Sequence, residues 1–173
     1  ETLFRFTSLF PLVQPEDVIV QQDGDFYKVN FRIRNNYYLA LFNLSDSLKM
    51  YKLPAGLFFD NIKQEWTAGN KMLELPKHAS RCLLQVGNTP FGLAGTRGHF
   101  FAGAEISNVY LSGNQLEVEW EENIYNPVTA WFRIPTGYKV ESVNGSADFR
   151  RIEKKDHALI EFRRDNADII NNA

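Results

Sequence analysis

The chain of 173 residues has very little cysteine, and Cys82 is its one thiol. A single thiol excludes a disulfide within the chain, and it excludes a structural zinc site built on thiolates. The sequence also lacks the HExxH, paired CxxC and EF-hand patterns that bring metal ligands together. We therefore expect a protein that uses no metal and no cofactor.

Long apolar runs and an excess of one charge are also lacking. No stretch reaches the roughly 18 apolar residues of a membrane helix. The 19 Lys and Arg and the 21 Asp and Glu nearly balance, and the basic residues are scattered. We therefore expect neither a nucleic-acid nor a membrane partner. Glu1 opens the chain without Met, a basic region or an apolar stretch, so we expect a piece of a longer or processed protein.

The sequence motifs of common enzymes do not occur either. There is no GxxxxGK[ST] loop, no GxGxxG opening a helix and no GxSxG elbow. His78 and His157 lie in turn-like segments beside strands, and Cys82 lies in an apolar run that suits a buried thiol. The glutamates within residues 115–121 alternate along one strand without an apolar pocket to raise a pKa, which indicates a solvated face. We expect no catalytic residue in this chain.

Aromatic residues, by contrast, are plentiful at 14%, and short apolar or alternating runs recur between Gly, Asn, Asp and Pro turns. This pattern predicts strands rather than helices. Asn35 and Asn36 predict a two-residue hairpin turn, because Asn tolerates positive φ. The predicted strands are 26–34, 37–43, 48–52, 57–59, 63–67, 71–75, 80–86, 100–110, 115–121, 128–134, 139–143, 148–154 and 158–162.

The turn-rich residues 87–90 divide these strands into two series. We predict an all-β fold with two small antiparallel β-sandwich units, residues 23–90 and 91–173, packed in tandem. An extended lead-in, residues 1–22, precedes them and covers a sheet edge. Units of about 80 residues would bury only about 60–65% of their unfolded surface, so we expect them to pack on each other or on a third body.

Two pairs of residues are candidates for functional contacts. Trp66 and Trp131 have polar neighbours, so either ring could stack on a sugar, although packing against a neighbouring domain is the favoured interpretation. In GTRGHF, residues 95–100, two glycines allow close backbone approach while Arg97 and His99 supply charge and hydrogen bonds. We predict that Arg97 and His99 form an interdomain joint, with a ligand contact as the alternative.

Three segments, LFPLVQPEDV, YYLALFNLSD and LELPKHASRCLLQV, together resemble the tail of glycoside hydrolases in the α-galactosidase (melibiase-like) group. In that group a (β/α)8 barrel precedes an antiparallel β-sandwich. The resemblance implies that residues 1–22 link to a barrel that lies before this chain. The catalytic aspartates of such enzymes lie at the ends of barrel strands, so the resemblance places no catalytic residue here. The bacterial members with a similar GTRGHF region suggest a bacterial source.

The leading hypothesis is a non-catalytic C-terminal module that packs on and supports the barrel of a carbohydrate-active enzyme. One alternative is a stand-alone carbohydrate-binding module that uses exposed Trp. Another is an adhesion or assembly domain without sugar binding, which would present a large apolar patch to another protein. The sequence leaves the compartment open, and a periplasmic or extracellular setting would suit the parent enzyme.

Overall fold

The computed structural model describes residues 16–60, 62–98, 101–113, 115–121, 127–140 and 149–164. All regular elements within these ranges are β-strands, and no helix of the described part of the chain could cross a membrane. The strands are β1 (Glu16–Asp23), β2 (Phe26–Ile33), β3 (Asn36–Asn43), β4 (Lys49–Lys52), β5 (Leu57–Asp60), β6 (Glu65–Ala68), β7 (Met72–Leu75), β8 (Ser80–Val86), β9 (Gly92–Arg97), β10 (Ile106–Ser112), β11 (Gln115–Trp120), β12 (Val128–Pro135), β13 (Phe149–Glu153) and β14 (His157–Arg164).

Two large antiparallel sheets form the centre of the fold. The first has six strands in the order β1-β2-β3-β8-β5-β6, and the second has four in the order β13-β14-β12-β9. Two antiparallel strand pairs, β4–β7 and β10–β11, complete the described strands. The prediction of an all-β fold made of antiparallel sheets packed together is confirmed.

Strand β3 explains why the segment YYLALFNLSD is so apolar. Its side chains alternate between the two faces of the sheet, and both faces are covered. Tyr38 packs toward the four-stranded sheet, whereas Leu39 and Leu41 pack beneath the β4–β7 pair. A strand covered on both faces needs large apolar residues at successive positions rather than at alternate ones.

The core between the two sheets joins the two series of predicted strands. Phe59 of β5 and Trp131 of β12 are two of its large aromatic members, and both are buried. The remaining buried members are Ile33, Tyr38, Leu84, Val86, Ala94, Ala102, Ala104 and Leu159. Burying a large apolar side chain stabilises a fold by roughly 1.5–3 kcal/mol, so this shared core holds the sheets together. The predicted boundary at residues 90 and 91 falls between β8 and β9, and the division into units stays a prediction.

Each outer face has a cover of its own. Leu53 and Leu75, beside and within the β4–β7 pair, pack with Phe58 on the six-stranded sheet. The β10–β11 pair lies over the four-stranded sheet, where Ile106 packs with Phe132. The resulting order is strand pair, sheet, sheet, strand pair.

Several details differ from the sequence-based predictions. Residues 101–105 of the predicted strand 100–110 form turns, and β10 begins only at Ile106. The lead-in contributes a regular strand, β1, which pairs with β2; residues 1–15 lie outside the described residues. Strand β9 was not predicted, because its two glycines disfavour a strand. The hairpin turn lies one residue earlier than predicted, at Arg34 and Asn35, and Arg34 takes a φ of 54°. This register leaves Asn36 in β3, where its side chain donates to the carbonyl of Gly103.

The last predicted strands also differ in part. Residues 139 and 140 of the predicted strand 139–143 are not in a strand, and residues 141–148 lie outside the described part. The residues after Arg164 also lie outside it.

Candidate functional site

The two tryptophans predicted as sugar contacts meet between the sheets. The ring centroids of Trp66, on β6, and Trp131, on β12, lie 5.4 Å apart at 89°. Both rings also contact Phe59, with centroid distances of 5.0 and 5.5 Å. Edge-to-face and tilted contacts of this kind stabilise a core beyond the area that they bury.

Both indole N–H groups already have acceptors inside the protein. Trp131 is 8% exposed, and its Nε1 donates to Oε2 of Glu161 over 2.9 Å. The half-buried Trp66 donates to the carbonyl of Ala94 over 2.9 Å, and the Lys154 ammonium lies 5.6 Å from its ring centroid. A sugar stacks on an open ring face, so this geometry supports the packing interpretation. Carbohydrate binding by these two residues stays a prediction.

A buried carboxylate lies close to the predicted joint. Glu105 and Thr96 are both fully buried, and Oε2 of Glu105 accepts from the Thr96 hydroxyl over 2.7 Å. The backbone N–H of Gly103 approaches both groups, at 3.0 Å from the carboxylate and 2.6 Å from the hydroxyl. Because no solvent reaches this carboxylate, the arrangement serves to fix the loop 101–105 rather than to meet a substrate.

The same loop is held by the first sheet. The hydroxyl of Tyr38 donates to the carbonyl of Ala102 over 2.7 Å, and Nδ2 of Asn36 donates to that of Gly103 over 3.0 Å. Burial, and then the negative charge of Glu105, raise the pKa of Tyr38 well above its ordinary value. Tyr38 therefore keeps its proton and remains a hydrogen-bond donor.

Of the two residues predicted to form an interdomain joint, only Arg97 lies among the described residues. Arg97 is exposed at the end of β9, where it pairs with Thr129 of β12, and its interdomain role stays a prediction. His99 lies outside the described residues. Among the described residues of GTRGHF, contact with buried residues comes from Gly95, Thr96 and Gly98.

Asn43 connects two of the segments on which the family resemblance depends. Its amide is fully buried, and Nδ2 lies 2.7–3.0 Å from the carbonyl oxygens of Ser47, Leu75 and Pro76. Its Oδ1 accepts from the backbone N–H and the hydroxyl of Ser45. Asn43 thus ends β3 and ties FNLSD to LPKHASR.

Asp60 forms a second buried polar group, at the end of β5. Its Oδ2 pairs with Nη1 of Arg81 over 2.9 Å, and its Oδ1 accepts from the backbone N–H groups of Ile62 and Lys63. Desolvation, and then the charge of Asp60, raise the pKa of the nearby Cys82 thiol to about 12. A thiol that holds its proton is a poor nucleophile.

The two described histidines form surface pairs. Nε2 of His78 lies 3.0 Å from Asp46, and Nδ1 of His157 lies 2.7 Å from Asp156. The bond to His157 lowers the pKa of Asp156. Within the residues that the structure describes, no three His, Cys, Asp or Glu side chains come together as metal ligands would.

Strand β1, at the edge of the six-stranded sheet, exposes apolar side chains on both of its faces. Val18, Ile19 and Val20 are exposed by 50, 57 and 60%. The register shifts between Glu16 and Ile19, which marks a bulge, and Arg32 forms ion pairs with Glu16 and Asp17. Bulges at edges hinder the addition of another strand, so this surface suits packing of side chains.

A shallow cleft of about 370 Å³ lies at the other end of the fold. The loop 137–140 forms one wall, and Phe149, Arg151 and Glu153 of β13 form the other. The sequence-based predictions did not include this cleft, although the i, i+2, i+4 spacing of those three side chains indicates one strand face.

Burial of Glu105 was also missed, because a glutamate is normally exposed.

Comparison with known proteins adds no further constraint. No protein-family model matches the chain, and no curated protein matches it. The assignment of a function therefore depends on the sequence motifs and on the geometry described above.

Proposed function

We propose that this chain is a non-catalytic β-sandwich module of a carbohydrate-active enzyme of the α-galactosidase-like type. Its role is to pack on the catalytic (β/α)8 barrel of the parent protein and to support it. The observation that carries the proposal is the exposed apolar edge strand β1, on which Val18, Ile19 and Val20 are each at least half exposed. Exposed contiguous apolar residues mark a contact surface.

The contacts between the motifs support the family assignment. Asn43 of YYLALFNLSD binds the carbonyls of Leu75 and Pro76 in LELPKHASRCLLQV. Glu16 and Asp17 of LFPLVQPEDV pair with Arg32, on the strand next to theirs. The described residues of each segment thus make contacts within this sandwich, and these contacts support the resemblance.

The first test compares the isolated chain with the longer protein that its gene encodes. We expect several hundred codons of alternating strands and helices upstream. The longer protein should hydrolyse a nitrophenyl α-galactoside, and the isolated chain should hydrolyse no nitrophenyl glycoside. A gene without an upstream barrel, or mutation-sensitive turnover by the isolated chain, would overturn the proposal.

The second test uses two matched substitutions. Ile19 and Ile62 are 57 and 60% exposed, but only Ile19 belongs to β1. In the longer protein Ile19→Asp should lower the melting temperature, because it places a charge in an apolar contact, and Ile62→Asp should not. In the isolated chain both variants should have the same melting temperature as the wild type. Equal melting of both variants in the longer protein would show that β1 does not contact the barrel.

If the gene encodes no barrel and this surface binds another protein, the adhesion or assembly hypothesis replaces this proposal.

A further inference from the structure

The cleft beside β13 has one wall made by a strand. Phe149, Arg151 and Glu153 pair with Phe162, Ile160 and Ala158 of β14. Directly paired residues share a face of a sheet, and these three partners pack on the outer face of the four-stranded sheet. The intervening Ile152 packs into the core between the sheets. The three cleft residues therefore point away from that core, on the outer side of an edge strand.

The other wall is the loop 137–140, and it is held in place at several points. Tyr138 donates its backbone N–H to the carbonyl of Pro135, and its own carbonyl accepts from Arg151. Its ring packs edge-to-face on Phe91, with centroids 5.0 Å apart. The ring is nevertheless 55% exposed, and that of Phe149 is 39% exposed. The structure thus holds the Tyr138 ring in place at a cleft that also exposes the ring of Phe149.

Charged groups lie between the rings. Arg151 donates to Glu153 and to the carbonyl of Tyr138, which uses two of the five N–H donors of a guanidinium. The carboxylate of Glu153 is 64% exposed, and Lys139 also lines the cleft. Hydrogen-bond donors and acceptors therefore stand beside apolar rings within a space of small-molecule size.

This combination matches the chemistry of a sugar ring. The C–H groups of a pyranose face carry partial positive charge and suit the negative face of an aromatic ring, while its hydroxyls both donate and accept. A shallow, open cleft suits a ligand that remains partly in water. We propose that Tyr138, Phe149, Arg151 and Glu153 form a binding site for a neutral hexopyranose unit.

This inference takes its class of ligand from the proposed function, but it is tested on the isolated chain. Methyl α-D-galactopyranoside, methyl β-D-glucopyranoside and raffinose are titrated into the chain and followed by calorimetry and by NMR chemical shifts. At least one probe should bind with a Kd near about 1 mM. Tyr138→Ala and Phe149→Ala should each raise that Kd about tenfold, since each removes a stacking surface.

Tyr37→Ala is the matched control, because Tyr37 is 58% exposed and does not line the cleft. The Kd of this variant should stay within about twofold of the wild-type value, a difference comparable with the usual error of additivity between distant sites. Glu153→Gln removes one charge of the exposed Arg151–Glu153 ion pair, and such surface pairs contribute little to stability, so it tests the site in a chain that keeps its fold. It should weaken binding and leave the melting temperature unchanged.

Two results would overturn the inference. One is the absence of binding by all three probes, and the other is binding that Tyr138→Ala, Phe149→Ala and Glu153→Gln leave unchanged. Neither result bears on whether an upstream barrel exists, so failure of this site and failure of the proposed function can be told apart.

Discussion

Gly95 of β9 lies against the ring of Phe59 on β5, where the two sheets meet. A Cβ on Gly95 would lie 2.7 Å from Cγ and Cδ1 of that ring. Phe59 is fully buried and contacts both Trp66 and Trp131, so it has little room to move. Gly95, the first glycine of GTRGHF, is thus needed for the close approach of the two sheets.

Gly95→Ala should therefore lower the free energy of unfolding by about 1–3 kcal/mol, the usual cost of overpacking a core. Urea denaturation followed by tryptophan fluorescence measures the change. Gly87→Ala is the control, because a Cβ there meets only the hydroxyl of Thr89 at 3.7 Å. A Gly95→Ala protein as stable as the Gly87→Ala protein would contradict the packing described between the sheets.

Trp131→Ala should be strongly destabilising, by about 3–5 kcal/mol, because it leaves a large cavity in the core. The loss of its bond to Glu161 adds to this cost. Chemical denaturation gives the change in stability. A variant that keeps wild-type stability and loses only sugar binding would instead support the prediction that Trp131 is a ligand contact.

Asn43→Asp should destabilise the fold by several kcal/mol. The substitution removes the donors that face the carbonyls of Ser47, Leu75 and Pro76, and a buried group left without its bonds costs about 1–3 kcal/mol, and more when it is charged. Thermal unfolding at neutral pH measures the effect. Asn70→Asp, at a turn residue, provides the comparison, and a similar loss in both variants would contradict this role of Asn43.

Alkaline pH should weaken the fold through Cys82. Its pKa is raised in the native state from the ordinary 9.0 to about 12, so the unfolded chain releases this proton first. The free energy of unfolding should thus fall between pH 9 and pH 12, by at most about 1.4 kcal/mol per pH unit for this group. Comparing the wild type with Cys82→Ala across that range isolates the contribution of Cys82. The gap in stability between the two should change with pH above 9 and stay constant below it.

Alternation in the sequence predicted most strands, because a strand face repeats every second residue. The pattern placed Trp131 and Phe132 on opposite faces of β12, and the structure agrees. The alternation could not predict that both faces of β12 are covered, because the covering residues are distant in sequence. The burial of Trp131 agrees with the packing interpretation that was favoured for it, and a sugar contact there stays a prediction.

The remaining misses have local causes. Strand β9 went unpredicted because Gly95 gives a weak strand signal, although its backbone is needed where β9 passes Phe59. The cleft beside β13 was missed because Tyr138 lies in a loop, where periodicity gives no information about contacts. Glu105 was missed because its hydrogen-bond partners come from β9 and from the loop that precedes it.

The outer strand pairs, β4–β7 and β10–β11, hydrogen-bond within each pair and rest on the large sheets through side chains. Opening of either pair would leave the ladders of the centre intact, although it would break the bond from Asn43 to the carbonyl of Leu75 on one side and the Arg34–Glu121 ion pair on the other. Their amide protons should exchange with deuterated solvent sooner than those of β3 and β12, which have hydrogen-bonded neighbours on both sides. We therefore expect slow amide exchange in the two central sheets and faster exchange in the two outer strand pairs.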